Sequence, residues 1–341
     1  MILKLLYDIL ILGQVSKYTY LKGNKMLEVK NLVKRYGNHF AVDDISFSVG
    51  EGEIVGFLGP NGAGKSTTMN IITGYLSSTS GSVSIDGHDI LEDTINAKKL
   101  IGFLPEQPPL YIDMTVWEYL GFVFDLKKCD FNKQKHLDEI CDLVKISDMK
   151  NRLIKNLSKG YKQRVGIGAT LIGNPKYIIF DEPTVGLDPK QIIEIRNLIR
   201  NLGAKHTVIL STHILQEVQA VCDRILVINE GKIIADEKTS SLNNAVNQNT
   251  RYRVKIAGPQ KEVIKHIRSL VGMVSCELYG ERDGDAFSYN IESSPNVDIR
   301  KSLFNALAEK GWPLMGMEPI GMELEDIFIR LVNNNSKGGT K

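Results

Sequence analysis

The sequence is short of long apolar runs, of cysteine and of net charge. No apolar stretch approaches the ~20 residues that a helix needs to cross a bilayer, which excludes a helical channel made by this chain alone. The four cysteines, Cys129, Cys141, Cys222 and Cys276, have no metal-type or redox-type spacing. They read as free cytosolic thiols, mostly filling the core. Forty-two Lys and Arg against 40 Asp and Glu leave a formal charge of +2, too small to argue for a nucleic-acid partner. What remains is an ordinary globular composition, 43% hydrophobic and 24% charged over 341 residues, long enough for two domains.

Against that plain background one stretch carries chemistry. Gly59, Pro60, Asn61, Gly62, Ala63, Gly64, Lys65 and Ser66 read G-x-x-x-x-G-K-S, a phosphate-binding loop. A polyphosphate needs donors on all sides at close range. Glycines at 59, 62 and 64 remove the Cβ atoms that would hold the backbone away, and the freed N–H groups form a concave anion site. Lys65 adds a point charge, and Ser66 offers a hydroxyl to Mg²⁺. The flanks fit. Residues 53–58 read as a buried strand. A helix from about Lys65 to Tyr75, running through Thr67, aims its positive end at the loop. A nucleoside triphosphate site is expected here.

A second site must hold the metal and the attacking water. The apolar run Tyr177–Phe180 ends in Asp181-Glu182, and a buried strand delivering carboxylates at its C-terminal end suits an open α/β sheet. Asp181 is expected to reach Mg²⁺, and Glu182 to polarise the water as general base.

Further downstream the order becomes specific. Leu157-Ser-Lys-Gly-Tyr-Lys-Gln-Arg164 opens an apolar-periodic helix, Asp181-Glu-Pro-Thr-Val-Gly-Leu-Asp188 follows, and Ser211-Thr-His213 closes a strand. With the phosphate loop, this resembles the nucleotide-binding subunit of ATP-binding-cassette (ABC) transporters, over residues 26 to about 240. The resemblance implies an α/β P-loop NTPase cassette: a mixed-sheet core, an antiparallel edge sheet and a helical subdomain. It also implies roles. Tyr36 would stack on adenine. Ser158 and Gly160 would close on the γ-phosphate held by an opposite subunit, with Asp188 at the dimer seam. His213 would contact the γ-phosphate. The implied cofactors are ATP and Mg²⁺. The implied partners are a second cassette (homodimer or pseudo-dimer) and an integral membrane permease, at the cytoplasmic face of the membrane.

Two positions depart from the family pattern. The usual signature is Leu-Ser-Gly-Gly-Gln; here Lys159 and Tyr161 replace its first glycine and its glutamine. In the Q-loop, counting back from Thr115-Val116 puts Glu106 where a glutamine usually meets metal and water, with Gln107 one residue late. Glu106 is the expected ligand. Both variants, with Leu104-Pro-Glu-Gln-Pro-Pro-Leu-Tyr111, look like export-type cassettes of the drug-efflux and gliding-motility kind. The alternative function is that of a soluble cassette protein outside transport. Such relatives usually carry two cassettes, a coiled coil or a zinc insertion, none of which this sequence contains.

The ends stand apart from this chemistry. Residues 1–25 read as an extension before a natural start at Met26, or as an amphipathic segment touching membrane or permease. Polar residues near 239–250 mark a linker. Beyond it, residues 251–332 read β-α-β-β-α-β, a small α+β ferredoxin-like accessory domain. It ends in a helix over 324–332 and carries no catalytic constellation. Residues 333–341 read as a disordered tail.

Overall fold

The computed structural model describes residues 26–240, 251–294 and 297–320. The expected N-terminal extension, the linker residues 241–250, the helix over 324–332 and the tail over 333–341 lie outside the described residues. The chain divides into two compact units, parted between Thr239 and Ser240.

Alternation of apolar and polar residues builds the first sheet of the first unit. β1 (Met26–Tyr36), β2 (His39–Gly50), β4 (Ser80–Ile85) and β5 (His88–Asp89) are antiparallel in the order β2-β1-β4-β5. Leu27, Val29, Val49, Val83 and Ile85 point into the core. Asp86-Gly87 makes the β4–β5 turn with φ of 52° and 88°, the mirror-image geometry that suits a hairpin.

Continuous apolar runs build the second sheet. β3 (Ile54–Leu58), β6 (Ile101–Leu104), β7 (Tyr177–Asp181), β8 (Thr207–Thr212), β9 (Arg224–Asn229) and β10 (Lys232–Lys238) lie in the order β10-β9-β3-β8-β7-β6. All neighbours are parallel except β10 on the edge. β3, β7 and β8 are buried along their whole length, as expected of parallel strands covered on both faces. Leu58 pairs with Thr212 and Asp181 with Ser211. That register brings three strand ends to one edge: the glycine-rich loop, Asp181-Glu182 and His213.

Helix α1 (Lys65–Ile72) follows the loop and packs Met69, Ile71 and Ile72 into the core between the sheets. It stops three residues before the expected Tyr75. Thr73 caps it and Gly74 turns left-handed at φ 65°, a common glycine termination. α2 (Thr94–Lys99) precedes β6. Between β6 and β7 lie α3 (Val116–Leu126), α4 (Lys133–Leu143) and α5 (Lys159–Leu171). Thr115 and Glu118 close a reciprocal capping box at the start of α3. α6 (Pro189–Gly203) and α7 (Leu215–Val221) flank β8. Among the described residues no helix is long and apolar enough to cross a membrane.

The second unit runs β11 (Arg251–Ala257), α8 (Gln260–Arg268), β12 (Met273–Asp283), β13 (Ala286–Ser293), α9 (Arg300–Glu309) and β14 (Leu314–Pro319). Its antiparallel sheet has the order β12-β13-β11-β14. Val254, Ile256, Cys276 and Ile291 meet Val263, Ile267, Leu303 and Leu307 in its core. The β12–β13 turn is tight. Gly284, at φ 64°, lets Asp283 pair directly with Ala286. Tyr289 is wholly buried in this core, and its hydroxyl has no hydrogen-bond partner among the described residues. Tyr289→Phe removes that unpaired group while keeping the ring. It is expected to leave stability unchanged or raise it by about 1 kcal/mol, read from thermal unfolding; a loss of more than that would mean the hydroxyl is satisfied.

Candidate functional site

The phosphate loop is held open by two close backbone approaches. A Cβ on Gly59 would lie 2.3 Å from the Ile228 carbonyl. Gly64 has φ 105°, and its Cβ would lie 2.3 Å from the Ala41 carbonyl. Thr68 donates its hydroxyl to Gly64 O at 2.8 Å, tying the first turn of α1 to the loop. The helix begins at Lys65 with no acidic residue in its first turn, so its positive end is not neutralised from within.

A cleft of about 370 Å³ opens over this loop. Asn61, Gly62, Gly64, Lys65, Ser66 and Thr67 line it from the loop side, and Glu106, Glu182 and His213 from other segments. The strand register thus joins the glycine-rich loop to groups as distant in sequence as His213. Lys65 is 5% exposed and Glu182 6%. The Lys65 ammonium donates to Gly59 O at 2.9 Å and Pro60 O at 3.2 Å, and lies 3.3 Å from Glu182 Oε1. His213 Nδ1 sits 2.9 Å and 3.1 Å from the two Glu182 carboxylate oxygens. A carboxylate between an ammonium and an imidazole, at the mouth of an anion cradle, can take a proton from a water facing a bound phosphate.

Glu182 stands in a strained backbone. Its φ is 48°, the left-handed region that costs a residue with a Cβ about 1–2 kcal/mol. Its N–H donates to Ser211 O at 3.0 Å, which fixes it there. Such strain clusters where function needs a side chain aimed off the strand. Asp181 is buried one residue earlier and accepts a hydrogen bond from the Ser211 hydroxyl.

Other expected site residues lie outside the lining of this cleft. Tyr36 is 51% exposed at the end of β1, with Lys34 Nζ 5.2 Å from its ring centre. Ser158 caps α5 by accepting from Tyr161 N–H, and Asp188 caps α6 by accepting from Gln191 N–H at 2.9 Å. Gly160 packs against Gln191, so that a Cβ there would lie 2.5 Å from the carboxamide. The signature stretch and the start of α6 therefore form one joined surface within the chain. Sequence reasoning missed Ala41 and Val185, which also line the cleft; neither carries a chemical signal in its residue type.

Glu106 lines the cleft, whereas Gln107 is exposed outside it. Glu106→Ala is accordingly expected to slow Mg²⁺-dependent turnover more than Gln107→Ala. The comparison is of turnover across a Mg²⁺ titration. The reverse ranking would mean that the loop has slipped by one residue.

The chain's similarities bear on this geometry. The sequence pattern of the ABC transporter family matches residues 42–185. An uncharacterized ABC transporter ATP-binding protein of Bacillus subtilis (strain 168), YxlF, is 31% identical over 90% of this chain and 100% of its own length. The bacitracin transport ATP-binding protein BcrA of Bacillus licheniformis is 29% identical over 92% of this chain and 99% of its own. Among solved structures, a dimeric ATP-binding cassette in a post-hydrolysis state with ADP and Pi is 29% identical. It covers 62% of this chain and 98% of its own, with a TM-score of 0.57.

Proposed function

Because this chain belongs to the family of ABC transporter ATP-binding subunits, we propose that two copies close around two ATP molecules and drive export through a separate membrane permease. It is an ATP-hydrolysing cassette, and cassettes of this family dimerise and work with permease subunits. The observation that carries the proposal is the meeting of Lys65, Glu182 and His213 over the glycine-rich loop, with Ser158, Gly160 and Asp188 outside the lining of that cleft. One chain thus holds one side of the nucleotide and offers the other side to a partner copy. The direction of transport follows relatives named for bacitracin transport and linearmycin resistance.

Within that reading, Lys65 and the loop N–H groups bind the phosphates and Tyr36 faces the base. Glu182 takes the proton of the attacking water while His213 orients its carboxylate. Ser66, Asp181 and Glu106 offer the oxygen ligands that a hard cation prefers. Among the described residues no cluster forms an all-protein metal cage, which suits Mg²⁺, an ion that takes one or two carboxylates and completes its shell with phosphates and water. Bound Mg²⁺ would neutralise charge on the phosphate oxygens. The chain would sit peripherally, at the cytoplasmic face.

The test mixes two inactive chains. Ser158→Arg blocks the surface offered to a partner, and Lys65→Ala empties the loop of its charge. Each alone should be inactive, and the mixture should regain at most one working site per mixed dimer. Full-rate hydrolysis by a strictly monomeric preparation would sink the shared-site reading.

A further inference from the structure

A buried carboxylate outside the cleft connects the two loops that the chemistry depends on. Glu217, on α7, is 1% exposed. Its Oε1 accepts the Thr184 hydroxyl at 2.6 Å and its Oε2 accepts the Thr212 hydroxyl at 2.8 Å. Both threonines are buried. Thr184 lies two residues after Glu182, and Thr212 is the residue before His213. Arg196 of α6 approaches Glu217 Oε1 at 3.5 Å and is its ion-pair partner. The Thr212 hydroxyl also accepts from Ile214 N–H at 3.1 Å, so this contact reaches the backbone on the far side of His213.

A charge is not buried here for packing alone. Uncompensated, it costs several kcal/mol, and a leucine would fill the same volume. A carboxylate has two oxygens, and here each takes one hydroxyl from a different loop. We infer that Glu217 is a positioning residue: it ties the loop of Glu182 to the loop of His213 and sets how their side chains meet. The inference rests on the reading of Glu182 as the base. The tie adds to the backbone bond from Glu182 N–H to Ser211 O and to the bond from the Ser211 hydroxyl to Asp181.

Glu217→Gln keeps the shape but leaves one acceptor oxygen for two hydroxyl donors, and it deprives the Arg196 guanidinium of this counter-charge. In the full chain, turnover at saturating ATP is expected to fall on the order of 10- to 100-fold, the range a small misplacement of catalytic groups costs. KM and the affinity for a non-hydrolysable ATP analogue should stay within about twofold, since no loop residue that binds phosphate touches Glu217. Should that chain fold poorly, paired threonine variants carry the test. Thr184→Val and Thr212→Val should slow turnover, while Thr184→Ser and Thr212→Ser, which keep the hydroxyl, should not.

The decisive measurement is in the Glu182→Gln background. If Glu217 acts through Glu182, adding Glu217→Gln there should slow the residual turnover no further. An undiminished 10-fold loss in that background, wild-type turnover in Glu217→Gln, or equal rates in the Val and Ser variants would overturn the inference alone. A Glu182→Gln chain that hydrolyses ATP at the wild-type rate would overturn the reading of the site, and this inference with it.

Discussion

Glu182→Gln is expected to slow ATP hydrolysis by roughly 10²–10⁴-fold, the usual worth of a general base, while ATP still binds. The carboxamide matches the carboxylate in size, and the backbone bond to Ser211 O does not involve the side chain. The strained position at φ 48° therefore persists. His213 Nδ1, 2.9 Å away, can still donate to the amide oxygen. What disappears is the basicity. The bound nucleotide should then hold two chains together as a stable dimer, seen as an ATP-dependent shift in size-exclusion chromatography. Near-normal turnover would assign activation of the water to another group, His213 being the nearest.

Gly64→Ala should abolish nucleotide binding by a different route, through the backbone. At φ 105° an alanine is strained by about 1–3 kcal/mol. Its Cβ would also sit 2.3 Å from the Ala41 carbonyl, a backbone atom that cannot swing aside. Either β2 or the loop has to move. Moving the loop scatters the N–H groups that make the cradle, and with ~1.4 kcal/mol per decade the combined cost is at least a hundredfold in ATP affinity. Isothermal titration of the folded variant measures this. Gly62→Ala is the control: φ is again positive at 81°, but its Cβ would meet nothing within 4 Å among the described residues, so its loss should be much smaller. Equal losses at both positions would show that strain, not the contact with Ala41, limits the loop.

The phosphate loop, the Asp181-Glu182 strand end and His213 were legible in the sequence because their residue types are their function. Each sits after an apolar run that reads as a buried strand. The tight turn at Asp86-Gly87 is legible in residue type in the same way, because Asp and Gly both tolerate the positive φ found there. The end of α1 was not. Apolar periodicity ran on past Ile72, and only the left-handed Gly74 stopped the helix. Glu217 was invisible because its meaning depends on two hydroxyls delivered by β8 and by the segment after β7. A glutamate on a short helix reads as a solvated surface residue until tertiary structure buries it. Gln107 against Glu106 is intermediate: spacing suggested the register, and although both side chains are exposed, only Glu106 lines the cleft.

The pairing of β3 with β8 joins Ile54 to Val208 and Leu58 to Thr212. A strand finished early in synthesis therefore has no neighbour on that side until some 150 further residues have emerged, a gap of about 8–30 s at ordinary elongation rates. Non-local parallel pairing of this kind is slow to form even once the chain is complete. The glycine-rich loop, though made first, gains its shape among the last. A ribosome-bound chain that has released Lys65 but not Leu210 carries the motif in full and has no sheet edge on which to assemble it. Nucleotide added during translation should begin to protect this unit from proteolysis only after β8 has left the exit tunnel.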